Sequence, residues 1–250
     1  MEEGPELWVR VSRKDLQGVS DWLHRNARDG TPVDMEERGG PFFKNTALYL
    51  AVGDAPSVDM VRLLLEFNAD PNTTDHRGQS PLHLIDCQTP PEIARLLLGA
   101  GADPRRRDDY GYTPLFTMVY PSARHGGTCN AETLLEHGAD VNSRTLEGQT
   151  ALMEAVYTRR LDMVKLLLRY DANMDLANVY HRTAMAYALD HHAGQQPLLP
   201  YVHALRQEEL SRMSLAFAMG QHERLGAGTW SHGLHPDALR MIDNHFIHAP

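Results

Sequence analysis

Cysteine is nearly absent from this chain: Cys87 and Cys129 are the only two among 250 residues. Two isolated thiols make no disulfide framework, and the expectation is a reducing, intracellular setting, cytoplasmic or nuclear. Basic charge is also scarce. Lys and Arg number 24 against 33 Asp and Glu, a formal net charge of −9. Residues 211–250 hold three basic and three acidic side chains, so the whole excess lies upstream. An acidic balance argues against nucleic acid or anionic membrane as a general partner. Long apolar runs are missing too. None approaches the ~18 residues of a spanning helix, so no membrane insertion is expected. Met1-Glu2-Glu3-Gly4-Pro5 is acidic and has none of the marks of a signal peptide.

Catalytic signatures are equally lacking. There is no phosphate-binding glycine loop, no Gly-x-Ser-x-Gly elbow and no kinase signature. The chain has 14 histidines, with His191-His192, His232 and His235, and His245 and His248 the closest groupings. No Cys pair or His-Glu-x-x-His helix accompanies them, so no metal and no cofactor is expected. The chain is not expected to be an enzyme.

What is present is a repeat. Thr46-Ala47-Leu48-Tyr49-Leu50 returns as Ser80-Pro81-Leu82-His83-Leu84 and as Thr113-Pro114-Leu115-Phe116-Thr117. It returns again as Thr150-Ala151-Leu152-Met153-Glu154 and Thr183-Ala184-Met185-Ala186-Tyr187, at steps of 34, 33, 37 and 33 residues. A second marker keeps phase with the first: Asn68-Ala69-Asp70, Gly101-Ala102-Asp103, Gly138-Ala139-Asp140 and Asp171-Ala172-Asn173, each after an apolar run. A period near 33 with these elements marks an array of helical repeats. Such an array has no single core, so the question of function becomes one of binding.

Local chemistry agrees. A Thr or Ser hydroxyl can accept from an unpaired N–H at a helix start, and Pro81 and Pro114 follow where a missing N–H costs nothing. Gly101 and Gly138 suit a left-handed helix end. Asn68 and Asp171 stand in for glycine there, which predicts looser joints.

With both markers in place, residues 5–210 resemble the ankyrin-repeat family. The resemblance implies two antiparallel helices per repeat and a projecting hairpin loop between repeats. The expected fold is all-α: an ankyrin-repeat solenoid of about six helix-turn-helix units with a short C-terminal helical extension. The expected divisions are an N-terminal cap at 5–43, repeats at 44–77, 78–110, 111–147 and 148–180, a closing repeat at 181–210, and the extension at 211–250. In the cap, Trp8, Val9 and Val11 are expected on one helix and Leu16, Val19, Trp22 and Leu23 on a second. The longest repeat gains its extra residues within Tyr120–Asn130, either a binding loop or a tolerated one.

The resemblance also implies a concave binding face made of hairpin tips and first helices. By phase, Phe42, Phe43, Arg77, Tyr110, Tyr112, Tyr120, Tyr157 and Tyr180 fall there, and Tyr and Arg suit binding hot spots. The expected partner is another protein, met as by a scaffold or assembly subunit. Arg105-Arg106-Arg107 is a local basic tip that could bind carboxylate or phosphate. Asp108 and Asp109 follow it and would neutralise much of the cluster, so a solvated, self-paired loop is the expectation.

Beyond residue 210 the pattern stops. Leu215 and Met219 lie on one apolar-faced segment that ends near Leu225, and Leu239 and Ile242 lie on a second opened by Pro236 and Asp237. Two short amphipathic helices after such an array resemble the layout of SOCS-box proteins, which recruit elongin and a cullin to a ubiquitin ligase. Ser214-Leu215 and Met219 stand for the elongin-binding Ser-Leu and Cys, although that Cys is absent. A related resemblance is to the F-box-like tail of some viral ankyrin proteins. Both helices could instead cap the last repeat.

Overall fold

The computed structural model describes residues 6–39, 45–53, 56–86, 88–119 and 128–189, together with residue 207. Among them the regular elements are helical, and one isolated antiparallel bridge joins Gly39 to Asn45. The chain divides into two compact bodies, Met1–Leu146 and Glu147–Pro250.

The N-terminal body begins with α1 (Glu6–Ser12) and α2 (Leu16–Asp29). Asp15 caps α2 by accepting from the Gly18 N–H at 2.9 Å. Leu7, Val11, Val19 and Leu23 are buried, as an amphipathic pair requires. Leu16 and Trp22, expected on the same helix as Val19 and Leu23, are exposed and half-buried respectively. Leu16 opens α2 one residue after the cap, at the edge of the packed face.

The next pairs follow the repeat. Helix α3 (Ala47–Gly53) precedes α4 (Val58–Glu66). A single 3-10 turn (Pro81–Leu84) precedes α5 (Pro91–Gly99). Helix α6 (Pro114–Thr117) precedes α7 (Cys129–Glu136). The first elements of the second and third pairs are only 4 residues long. The 3-10 turn stops because Ile85 already has an extended backbone, φ −69 and ψ 128. Residues 120–127, which hold Pro121 and most of the extra length, lie outside the described residues.

Packing follows two ladders. Each first element packs on the next first element: α1 on α3, α3 on the 3-10 turn, the turn on α6. Each second helix does the same, α2 on α4, α4 on α5, α5 on α7. Leu64, Ile93, Leu97 and Leu134 are fully buried along the second ladder, and Leu48, Leu82 and Leu115 nearly or fully so along the first. Each such side chain contributes roughly 1.5–3 kcal/mol through removal from water.

In the C-terminal body, α8 (Ala151–Tyr157) packs on α9 (Leu161–Arg169) and on α10 (Ala184–Leu189). Leu152, Met153, Met163, Val164 and Leu167 form its interior. Of the closing repeat beyond residue 189 only Gln207 is described, and the whole extension at 211–250 lies outside the described residues.

Candidate protein-binding surface

The recurring Thr residues cap helices as expected. Thr46, Thr113, Thr150 and Thr183 accept through Oγ1 from the N–H of Tyr49, Phe116, Met153 and Ala186 at 3.2–3.3 Å. Ser80 is handled differently. Its own N–H donates to His83 Nδ1 at 3.1 Å, and His83 Nε2 lies 3.1 Å from the Tyr112 carbonyl. Because Nδ1 accepts, Nε2 carries the proton and donates to Tyr112, so His83 ties its helical turn to the following hairpin. Burial is the main cause that lowers its pKa, which keeps the ring neutral.

A left-handed residue ends each second helix: Asn68 (φ 62), Gly101 (φ 90), Gly138 (φ 86) and Asp171 (φ 60). A second left-handed set marks the hairpins, at Gly78, Gly111, Gly148 and His181, with φ of 76, 77, 75 and 56. Between these positions each loop is held by a carboxylate or amide. Asp70, Asp103, Asp140 and Asn173 accept through Oδ1 from the N–H two residues on, at 2.8–2.9 Å. Asp34 does the same for Glu36 in the capping segment.

The projecting part of each loop has its own clamp. Asp75 Oδ1 accepts from Arg77 and Gln79 N–H at 2.8 and 2.9 Å. Asp108 Oδ1 accepts from Tyr110 and Tyr112 N–H at 2.9 and 2.8 Å, and its Oδ2 accepts from Gln79 Nε2 at 3.1 Å. Asn178 Oδ1 accepts from Tyr180 and Arg182 N–H, both at 3.0 Å. Successive tips are joined by single backbone bonds: Asp109 N–H to Arg77 carbonyl at 3.0 Å, Leu146 to Tyr110 at 3.2 Å, and Val179 to Glu147 at 2.9 Å. The tips are thus rigid although they project.

The expected surface residues are distributed as follows. In the N-terminal body Arg77 is exposed on its tip, and Tyr110 is 54% exposed. Tyr112 is half-buried, its ring stacked on Phe116 with centroids 4.8 Å apart and tilted against Tyr110 at 5.8 Å. In the C-terminal body Tyr157 is 51% and Tyr180 64% exposed. Tyr157 meets Tyr187 edge-on at 5.9 Å, and the Arg182 guanidinium lies 4.3 Å above the Tyr187 ring. Tyr187 also accepts from Asn178 Nδ2 at 2.9 Å. Leu146 and Val179 add exposed apolar tips at 70% and 57%. By phase Leu146 and Val179 fall on the same expected face; Tyr187, which closes the fifth copy of the repeated element, was not expected there. Phe42, Phe43 and Tyr120 lie outside the described residues. So do Leu215, Met219, Leu225, Leu239 and Ile242.

The Arg105–Arg107 tip departs from the self-paired expectation. Asp108 is buried and committed to its hairpin clamp. Arg105 Nε donates to the Gly138 carbonyl at 2.7 Å, and Arg107 Nη2 to the Arg144 carbonyl at 2.6 Å. Among the described residues no group of three or more His, Cys, Asp or Glu is placed to hold a metal ion. No described helix is long and apolar enough to cross a membrane.

Comparison with known proteins fits this geometry. The family described as ankyrin repeats (three copies) matches residues 11–108 and 119–204. A B-cell lymphoma 3 protein homolog of Mus musculus is 29% identical over 200 residues, 80% of this chain and 42% of that protein. Ankyrin repeat and SOCS box protein 16 of Mus musculus is 41% identical over 149 residues, 60% of this chain and 30% of that protein. The Notch-regulated ankyrin repeat-containing protein of Xenopus tropicalis is 35% identical over 85 residues, 32% of this chain and 73% of that protein. The chain therefore spans less than half the length of the first two relatives. Two helical markers in fixed phase, clamped hairpins between them and a family match over most of the length lead to one conclusion: the chain belongs to the ankyrin-repeat family.

Proposed function

We propose that the chain is a non-enzymatic scaffold or assembly subunit that binds a partner protein through its hairpin tips and first helices, the face expected to be concave. The observation that carries this reading is the placement of Tyr110, Tyr157 and Tyr180. Each exposes more than half its surface, while the backbone beneath Tyr110 and Tyr180 is fixed by the Asp108 and Asn178 clamps. Rigid aromatic area on an ordered backbone loses little entropy on binding. Phe42, Phe43, Arg77, Tyr112 and Tyr120 share the same sequence phase and belong to the proposed face. Affinity capture with the full chain, and with Tyr110→Ala, Tyr157→Ala and Tyr180→Ala combined, tests the reading. The triple variant should fold normally and lose most of the captured partner; a partner retained undiminished refutes it.

A second reading is favoured by the similarity to an ankyrin repeat and SOCS box protein. In it, residues 211–250 recruit ubiquitin-ligase components through Leu215, Met219, Leu225, Leu239 and Ile242, and the repeats select a substrate. Leu215→Asp with Leu239→Asp should then abolish co-precipitation of elongin and a cullin while leaving partner capture intact. No co-precipitation by the unaltered chain would end this reading.

A further inference from the structure

The tip at Arg105-Arg106-Arg107 is an unneutralised basic strip on an acidic chain. The sequence supplies two neighbouring carboxylates, but the fold diverts both. Asp108 is spent on the N–H groups of Tyr110 and Tyr112 and on Gln79. The Asp109 carboxylate is turned toward Gly78, its Oδ1 2.9 Å from where a Cβ on that glycine would stand. Among the described residues no carboxylate oxygen lies within 4.0 Å of the Arg77, Arg105, Arg106 or Arg107 guanidinium.

The strip is ordered as well as unpaired. Arg105 and Arg107 each use one guanidinium N–H on a carbonyl of the next loop. Arg105 keeps both terminal nitrogens free of that bond, and Arg107 keeps Nε and Nη1. The Arg77 backbone adjoins the strip, its carbonyl accepting from Asp109 N–H at 3.0 Å. An apolar step adjoins it. The place where a Cβ would stand on Gly111 is 2.7 Å from Arg107 Nη2 and 3.3 Å from Leu146 Cγ. Leu146 is hydrogen-bonded through its backbone to Tyr110. Guanidinium groups and two exposed apolar side chains thus share one edge of the N-terminal body.

We infer that this edge, Arg77 and Arg105–Arg107 with Tyr110 and Leu146 beside them, receives an acidic segment of the partner protein that carries an apolar side chain next to its carboxylates. The inference rests on the protein-binding reading and adds the chemistry of the partner. Guanidinium forks match carboxylates with paired hydrogen bonds, and positioned groups lose less freedom on binding than solvated ones. A peptide is favoured over nucleic acid by two features. The chain carries a net charge of −9, which repels a long polyanion. Asp103 and Asp109, both exposed, also border the strip and limit it to a few residues.

The test uses random dodecapeptides displayed on phage and selected against the full chain, with affinities read by fluorescence anisotropy at low salt. Selected peptides should carry net negative charge and an apolar residue among the acids. Arg77→Glu combined with Arg106→Glu should weaken them about tenfold, since charge reversal turns attraction into repulsion. Neither side chain is hydrogen-bonded to the fold among the described residues, so circular dichroism and the urea midpoint should not change. Neutral or basic selected peptides, or affinity indifferent to the double reversal, overturn the inference. So does tighter binding of a single-stranded oligonucleotide or a phosphatidylserine vesicle than of the best peptide. If capture depends on the three tyrosines while peptide affinity ignores the arginines, this inference falls alone; indifference in both experiments removes the protein-binding reading as well.

Discussion

His83 accepts one hydrogen bond and donates another, and only the neutral ring can do both. Burial lowers its pKa below the usual value of 6.5, so the folded chain resists a proton that the unfolded chain accepts. The stabilisation is complete above that value and is lost as pH falls from it through the folded pKa. Urea midpoints of the unaltered chain and of His83→Gln should therefore differ most at neutral pH and converge in mild acid. Glu36 behaves oppositely. Its Oε1 accepts from Asp70 N–H at 2.8 Å, while Oε2 is closed off from solvent without a partner, and burial raises its pKa. That contribution is present at low pH and fades as pH rises through the folded value. Asn72 fills the same role one repeat later with an amide, which accepts from Asp103 N–H and donates to the Gly101 carbonyl. Glu36→Gln should raise the urea midpoint at neutral pH and flatten its pH dependence around the carboxyl titration. Asp171 holds a left-handed backbone that Gly101 and Gly138 adopt freely. Asp171→Gly should stabilise by about 0.5–1 kcal/mol, read as a higher Tm.

The hairpins are the elements in which sequence and structure diverge most usefully. The helix starts and ends were legible, because a hydroxyl at a cap and a glycine at a left-handed end each have one local cause. The fate of Asp108 was not. In sequence it stands beside three arginines and reads as their counter-charge, but two backbone N–H groups within four residues claim it first. The depth of Tyr112 was equally hidden, since its neighbour Phe116 becomes its stacking partner only once the helical turn closes. The shortness of the first elements at 81–84 and 114–117 was hidden, because a proline at a helix start does not say where the helix stops. Asp108→Ala leaves two N–H groups and Gln79 without their acceptor, at a cost of about 2–4 kcal/mol. Hydrogen exchange at Tyr110 and Tyr112 should accelerate far more than exchange in α2.

At the scale of the molecule, the described helices of the N-terminal body pack in ladders rather than around one shared interior. Its principal contacts run within each helix pair and from that pair to the pair before and the pair after. Stability in such an arrangement is a sum of neighbour terms, so damage stays local. Leu97→Ala, at a fully buried site in α5, should cost about 2–5 kcal/mol and raise exchange first in α4, α5 and α7. Amides of α1 and of α9 should keep their protection until global unfolding; equal loss everywhere would contradict a neighbour-braced ladder. The same ladder has a mechanical side. Stretched in an optical trap between handles at Glu6 and Glu136, it should lengthen in small, nearly equal steps at modest force and shorten through the same steps on relaxation. A chain built this way is a spring as much as a surface, and tension on its ends would change how many rungs remain to offer a grip.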